Sequence, residues 1–272
     1  MSTVAKKMMM GSVTEAAFDI ESSIQFTKTG ASMLYKDFSA TPTDRKKYTI
    51  SMWIKNGDSA SYILAGCTGK SSFANAQLYQ NTFYWQEYDY QGAGVEFSKI
   101  STASAANFGA PDEWVHLVWN YDSTVPAGKV YANGTEYTGF SDNRNGSQNR
   151  LSHVFNVHDG DFTPWSGNDE HQRFYIGNGY EWSNGTVYGL NAKVAEVHCV
   201  DGQTLDASNF GHDVGGTWTA KAYTGTHGVN GGHYKMLSGA IGSDSRSSGT
   251  ANNLTVSGLA DSAVSTTDVP PH

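Results

Sequence analysis

The chain is short of cysteine and charge and has no long apolar run, and each shortage closes off a class of protein. Its two cysteines, Cys67 and Cys199, sit far apart without CxxC or other ligand spacing. Neither a disulfide framework nor a zinc cluster is indicated, and both are expected as buried free thiols. Charged residues make up 16% of the 272 and the net charge is −8, which leaves no basic footprint for phosphate and makes nucleic acid an unexpected direct partner. No stretch is apolar enough to insert in a membrane, and no segment sustains a 3.6-residue period. The opening MSTVAKKMMMGSVTEAAF offers only Met8, Met9 and Met10 after Lys6 and Lys7, whereas a secretory signal needs an apolar run of roughly 7 to 15 residues. Synthesis in a cytoplasm without a cleavable export signal is therefore expected. The Asn-x-Ser/Thr matches at Asn133, Asn145, Asn184 and Asn253 then read as turn asparagines. HExxH and GxSxG are missing, and the nine histidines show no i,i+4 pair with a carboxylate base.

What is abundant is the raw material of strands and tight turns. There are 30 glycines, 15 tyrosines and 7 tryptophans. Ala192 to Val200 alternates, with Ala195, Val197 and Cys199 expected on one face and Val194, Glu196, His198 and Val200 on the other. Trp114 to Asp122 alternates too, placing Val115, Leu117, Trp119 and Tyr121 together. Lys129 to Tyr137 reads as a hairpin whose Asn133-Gly134 suits a type I′ turn, because both central residues need positive φ. Further strands are expected at Ser23 to Phe26, Tyr48 to Lys55, Tyr62 to Ala65, Thr82 to Tyr90 and Arg173 to Gly177.

These segments divide the chain into three. Residues 1–20 form a small-residue, methionine-rich arm; 21–211 carry the sandwich; 212–272 form a Gly/Ser/Thr-rich extension, packed on the sandwich or on neighbouring subunits. The fold class expected is all-β, a single jelly-roll sandwich with extended N- and C-terminal arms.

The phrases Tyr48–Lys55 (YTISMWIK), Glu113–Trp119 (EWVHLVW), Val130–Gly134 (VYANG), Phe174–Gly177 (FYIG) and Ala192–His198 (AKVAEVH) resemble, in this order, the strand series of laminin G/pentraxin-like jelly rolls of the concanavalin A-like lectin and glucanase fold. The continuation is similar to lectin-like virion proteins of marine and environmental tailed bacteriophages: Val200–Leu205 (VDGQTL), Trp218–Gly225 (WTAKAYTG), Gly228–Gly231 (GVNG) and Asn252–Gly258 (NNLTVSG). That resemblance implies a structural protein at the virion surface, as capsid decoration or tail appendage. Its partners would be other virion subunits and copies of itself, with host glycans as ligands for attachment. A free lectin and a polysaccharide-cleaving enzyme are the alternatives.

Candidate sites follow the same division. The related glucanases place Glu-x-Asp-x-x-Glu on one strand, so that acid and nucleophile share a face about 5 Å apart. Here Glu87-Tyr-Asp89 is followed by Gly92 at the third position, and no catalysis is expected. Trp85, Tyr88, Tyr90, Trp165, Tyr180 and Trp182 are candidates for glycan contact, since flat rings beside polar groups match a sugar's apolar face and polar rim. Asp159, Asp161, Asp169 and Glu170 are hard oxygen ligands of the kind that suits Ca²⁺, though not at EF-hand spacing. Met8, Met9 and Met10 are adaptable apolar groups for an assembly contact.

Overall fold

The structure is a computed structural model describing residues 18–28, 32–56, 60–69, 72–79, 82–89, 95–102, 112–125, 128–138, 140–142, 152, 154–155, 173–181 and 186–271. Its first eight strands are β1 (Ser23–Gln25), β2 (Met33–Lys36), β3 (Lys47–Asn56), β4 (Ala60–Gly69), β5 (Ser72–Tyr79), β6 (Thr82–Asp89), β7 (Val95–Thr102) and β8 (Trp114–Asp122). Then come β9 (Lys129–Ala132), β10 (Thr135–Glu136), β11 (Phe140–Asp142), β12 (Phe174–Ile176), β13 (Asn178–Glu181), β14 (Thr186–Gly189) and β15 (Ala192–Asp201). The last five are β16 (Gly211–Val214), β17 (Thr217–Ala220), β18 (Gly232–Tyr234), β19 (Thr255–Ser257) and β20 (Val264–Ser265). Among the described residues no helix is long and apolar enough to cross a membrane.

Two large antiparallel sheets carry the fold. Sheet A runs β10-β9-β8-β3-β15-β1-β20, with β18 also beside β15, and sheet B runs β11-β7-β6-β5-β4-β12-β2-β19. One apolar core lies between them. The alternation of β3 sends Tyr48, Ile50, Met52 and Ile54 inward, and that of β8 sends Val115, Leu117, Trp119 and Tyr121, as the sequence pattern requires. Sheet B answers with Leu34, Ala74, Ala76, Leu78, Phe83, Trp85, Phe174 and Ile176. Tyr48 stacks on Tyr121 at 5.4 Å between ring centroids, and the Trp85 indole donates a 2.7 Å hydrogen bond to the Tyr48 hydroxyl, so these two buried rings meet each other's polar groups. Cys199 is buried and free there; the Cys67 side chain lies outside the described residues.

The Asn133-Gly134 turn has φ of 46° and 76°, the type I′ signature. It is fixed twice over, because a Cβ on Gly134 would come within 2.2 Å of the Trp218 ring that covers it.

β15 departs from simple alternation. Its register against β3 shifts between Ala195 and His198, and Glu196 takes φ of 46°, a left-handed value that costs a non-glycine residue about 1 kcal/mol or more. The extra residue of this bulge rephases the strand. Val194 therefore joins Val197 and Cys199 in the core, while Ala195 turns to the outer face. The expected pairing of Ala195 with Val197, and of Val194 with His198, is corrected by that one residue.

The segment from 202 onward lies against sheet A and also completes edges. β18 pairs with the C-terminal half of β15, β20 pairs with β1, and β19 extends sheet B beside β2. Thr49 Oγ1 donates to the Gln203 carbonyl and accepts from the Leu205 N–H, and Asn120 Nδ2 donates to the Leu205 carbonyl. Phe210 and Ala207 then pack on Val118 and Val200, and Ala220 and Trp218 on Trp53 and Ala195. Near the end of the chain, the Asp268 carboxylate takes Lys55, Lys193 and the Trp114 indole N–H. The hydrogen bond from Lys193, with help from Lys55 and Trp114, lowers its pKa to about 2. Sheet A thus has a core on one side and a protein cover on the other.

Candidate functional site

The two outer faces of the sandwich differ. On sheet A, Thr49, Ser51, His116, Asn120, Glu196 and His198 point away from the core, yet all are buried. Their partners come from the strands themselves and from the covering segment. Trp218 Nε1 donates to His116 Nδ1 at 2.9 Å, and His116 Nε2 lies 2.8 Å from Ser51 Oγ. This fixes the tautomer: Nδ1 accepts, so the ring proton sits on Nε2 and is donated to the serine. The ring stacks on Trp53 at 4.9 Å. Burial, reinforced by His198, takes its pKa down to about 3.

Beside it lies a cluster of three histidines and one glutamate. His198 and His233 are direct partners across the β15–β18 pair, which stacks their rings with centroids 4.1 Å apart. His233 Nε2 is 2.5 Å from Glu196 Oε1, His198 Nε2 is 3.4 Å from the same oxygen, and His198 Nδ1 is 3.1 Å from His227 Nε2. Phe210 and Tyr223 wall the group at 5.3 and 5.7 Å from His198. Burial works against ionisation of Glu196, but hydrogen bonds from His198 and His233 outweigh it and hold its pKa at about 2. Burial lowers His198 and, with the neighbouring histidines and Arg246, takes His227 to about 3. With Glu196 ionised and His198 and His227 neutral, the protons of that pair are ordered: His227 Nε2–H donates to His198 Nδ1, and His198 Nε2–H points at Glu196. β18 is held on its other side by Asp244, whose Oδ1 accepts from the His233 backbone N–H and whose Oδ2 forms a buried ion pair with Arg246 at 2.8 Å.

Sheet B presents a different surface. Tyr35, Asn75, Gln77 and Tyr84 point away from the core and are part-exposed. Tyr35 and Tyr175 are register partners with rings 6.3 Å apart, and the same row runs through Ala65 to Asn75. Arg173 lies 4.7 Å over the Tyr35 ring and donates to Asp37 at 3.0 Å. Among the described residues this face thus combines rings, amides and an ion pair.

No protein-family model and no curated protein sequence matches the chain. Solved structures do. Over 93% of its length the chain aligns with 62% of a candidate carbohydrate-binding protein from Bacteroides ovatus, at 15% identity and a TM-score of 0.51. The fold is a lectin-type jelly roll. Mouse laminin α1 domains LG4-5 align over 80% of this chain and 48% of theirs, at 13% identity and a TM-score of 0.46. A heptameric pentraxin of Limulus polyphemus aligns over 67% and 77%, at 16% identity and 0.42. The chain spans about half of the laminin pair and about three fifths of the Bacteroides protein.

Of the glycan candidates, Trp85 is placed elsewhere: at 1% exposure it is a core residue hydrogen-bonded to Tyr48. Alternation explains it, since Phe83 and Trp85 share the inward face of β6 and Tyr84 takes the outer one. Tyr88 and Tyr180 fall in β6 and β13, opposite Phe73 and Val187, but their side chains lie outside the described residues. So do Tyr90, Trp165 and Trp182, the acids Asp159, Asp161, Asp169 and Glu170, and the arm residues Met8, Met9 and Met10. Sequence reasoning missed Tyr35 and Tyr175, in short strands with weak alternation, and the histidine cluster. A search for histidines at helical i,i+4 spacing passes over Glu196-x-His198, which is the spacing that matters on a strand.

Proposed function

We propose that the chain is a glycan-binding jelly roll displayed on a tailed-phage particle, with the outer face of sheet B as its ligand surface. The observation that carries this reading is the contrast between the faces. The chain's own C-terminal segment covers sheet A, whereas Tyr35, Asn75, Gln77 and Tyr84 of sheet B stay part-exposed around an Arg173–Asp37 pair. The likeness to a Bacteroides protein described as a carbohydrate binder supports the ligand class, and the run of phrases from Val200 to Gly258 supports the particle. The chain would bind rather than cleave. In this reading Met8, Met9 and Met10 hold a neighbouring subunit, ahead of Phe18 and Ile20, which pack on Trp53 and Ala195 of the same chain, and the loop acids Asp159, Asp161, Asp169 and Glu170 supply a Ca²⁺ site.

A glycan array probed with the full chain, with and without calcium, tests it. Binding is expected, and Tyr35→Ala should weaken it about tenfold, roughly 1.4 kcal/mol of ring contact, while leaving the melting temperature near the wild-type value. No binding by the wild-type protein would remove the lectin role, and unchanged binding by Tyr35→Ala would place the ligand on another surface. Mass spectrometry of purified particles checks the other half: glycan binding by a chain absent from particles would make it a free lectin.

A further inference from the structure

We propose that Glu196, His198 and His233 form a site for a zinc-like transition-metal dication that clasps the C-terminal segment to β15, independently of any glycan binding. Glu196 Oε1 and one ring nitrogen from each histidine lie within 4.8 Å of one another. On a four-coordinate zinc with bonds of about 2.0–2.1 Å, neighbouring ligand atoms stand about 3.3 Å apart. The 3.4 Å between Glu196 Oε1 and His198 Nε2 already has that spacing. The 2.5 Å between Glu196 and His233 is a hydrogen bond; a metal would replace its proton, moving the two atoms apart by less than about 1 Å, and the His198 and His233 rings, now stacked at 16° from parallel, would splay so that both nitrogens aim at the ion.

Two imidazoles and one carboxylate are a borderline-soft set that favours zinc, cobalt, nickel or copper over calcium or magnesium, which prefer all-oxygen shells. The surroundings are those of a built site. His227 Nε2 stands 3.1 Å from His198 Nδ1; with the ion on His198 Nε2 the pair would exchange tautomers, His198 Nδ1–H donating to His227 Nε2, which is then the outer partner that orients a ligating histidine. The histidine side chains and Glu196 are 3–11% exposed, so bulk water does not compete freely for the ion. Asp244 fixes the backbone of His233, and the β15 bulge fixes that of Glu196. Two ligands come from the central strand and one from the segment that covers it, so an ion here would tie the cover down.

The test uses the full chain, stripped with a chelator and titrated with Co²⁺ as the spectroscopic probe and Zn²⁺ as competitor. The wild-type protein is expected to take up one equivalent at micromolar concentration or below, to show the visible absorption of low-coordinate Co²⁺ with nitrogen ligands, and to lose it to zinc. Its melting temperature should rise by several degrees with zinc and return on chelation. His233→Gln should abolish the absorption and the thermal shift, while His212→Gln, on the outer hairpin, keeps both. Wild-type protein without that absorption overturns the proposal, as does His233→Gln that binds unchanged. If His233→Gln fails to fold, histidine NMR of the wild type decides: zinc must shift the His198 and His233 ring signals and leave the His116 environment largely in place. Unmoved His198 and His233 signals overturn the site.

Discussion

A chain cut after Gln203 should not yield a soluble, cooperatively folded sandwich, although every strand that the sequence pattern announces would still be present. The cut removes Phe210, Trp218, Tyr223, Tyr234 and Met236, of which Tyr234 and Met236 are fully buried. A large apolar side chain contributes about 1.5–3 kcal/mol on burial, so the loss rivals the roughly 5–15 kcal/mol by which domains are stable. It also uncovers Val118, Val200, Trp53 and Ala195 on the outer face of sheet A and strips β18, β19 and β20 from sheet edges, leaving unpaired backbone that promotes aggregation. Glu196 would lose His233, and Thr49 and Asn120 their partners around Leu205. Expression followed by near-UV circular dichroism and urea unfolding checks this. A soluble fragment of residues 1–203 with a cooperative transition would show that the cover is dispensable.

Acid should weaken the fold well before the carboxylates protonate. His116 is buried between Trp53 and Trp218 with its pKa lowered to about 3, against about 6.5 in an unfolded chain. Between these values the unfolded state binds the proton and the folded state does not. Stability therefore rises with pH across the window and is lost as pH falls from about 6.5 towards 3. By pH 4 the loss from His116 alone is on the order of 3 kcal/mol. Protonating Nδ1 would also turn an acceptor into a donor facing the Trp218 N–H. Urea unfolding at pH 7, 5.5 and 4 should show a steep fall for the wild type and a shallower one for His116→Gln, whose amide oxygen can still accept from Trp218. Parallel curves would show that His116 does not carry the acid sensitivity.

The inner half of the sandwich was legible because its chemistry has period two. Ile50, Leu117 and Trp119 announce a buried face, and Asn133-Gly134 announces its hairpin, before any coordinates are known. The outer half of sheet A was not, because nothing in the sequence marks the polar Thr49, Ser51, His116, Asn120 and His198 on the second face of their strands as buried. They are instead buried polar groups whose partners sit in a glycine- and serine-rich segment without periodicity. The bulge at Glu196 was hidden for a similar reason: nothing in AKVAEVHCV marks an extra residue, and the left-handed Glu196 is held by its tertiary contact with His233. β5 gave no signal because its core-facing Ala74 and Ala76 are too small to stand out against Asn75 and Gln77.

The C-terminal segment is an integral cover of the outer face of sheet A, and the proposed ligand surface on sheet B depends on that. Native-state hydrogen exchange of the full chain tests it most directly. Amides of β15 (Ala192–Asp201), of the β16–β17 hairpin and of β18 should exchange together, through one opening reaction with the free energy of global unfolding. Exchange of 211–234 within seconds, with β15 still protected, would contradict the account, since it would make the segment a loose tail rather than part of the fold.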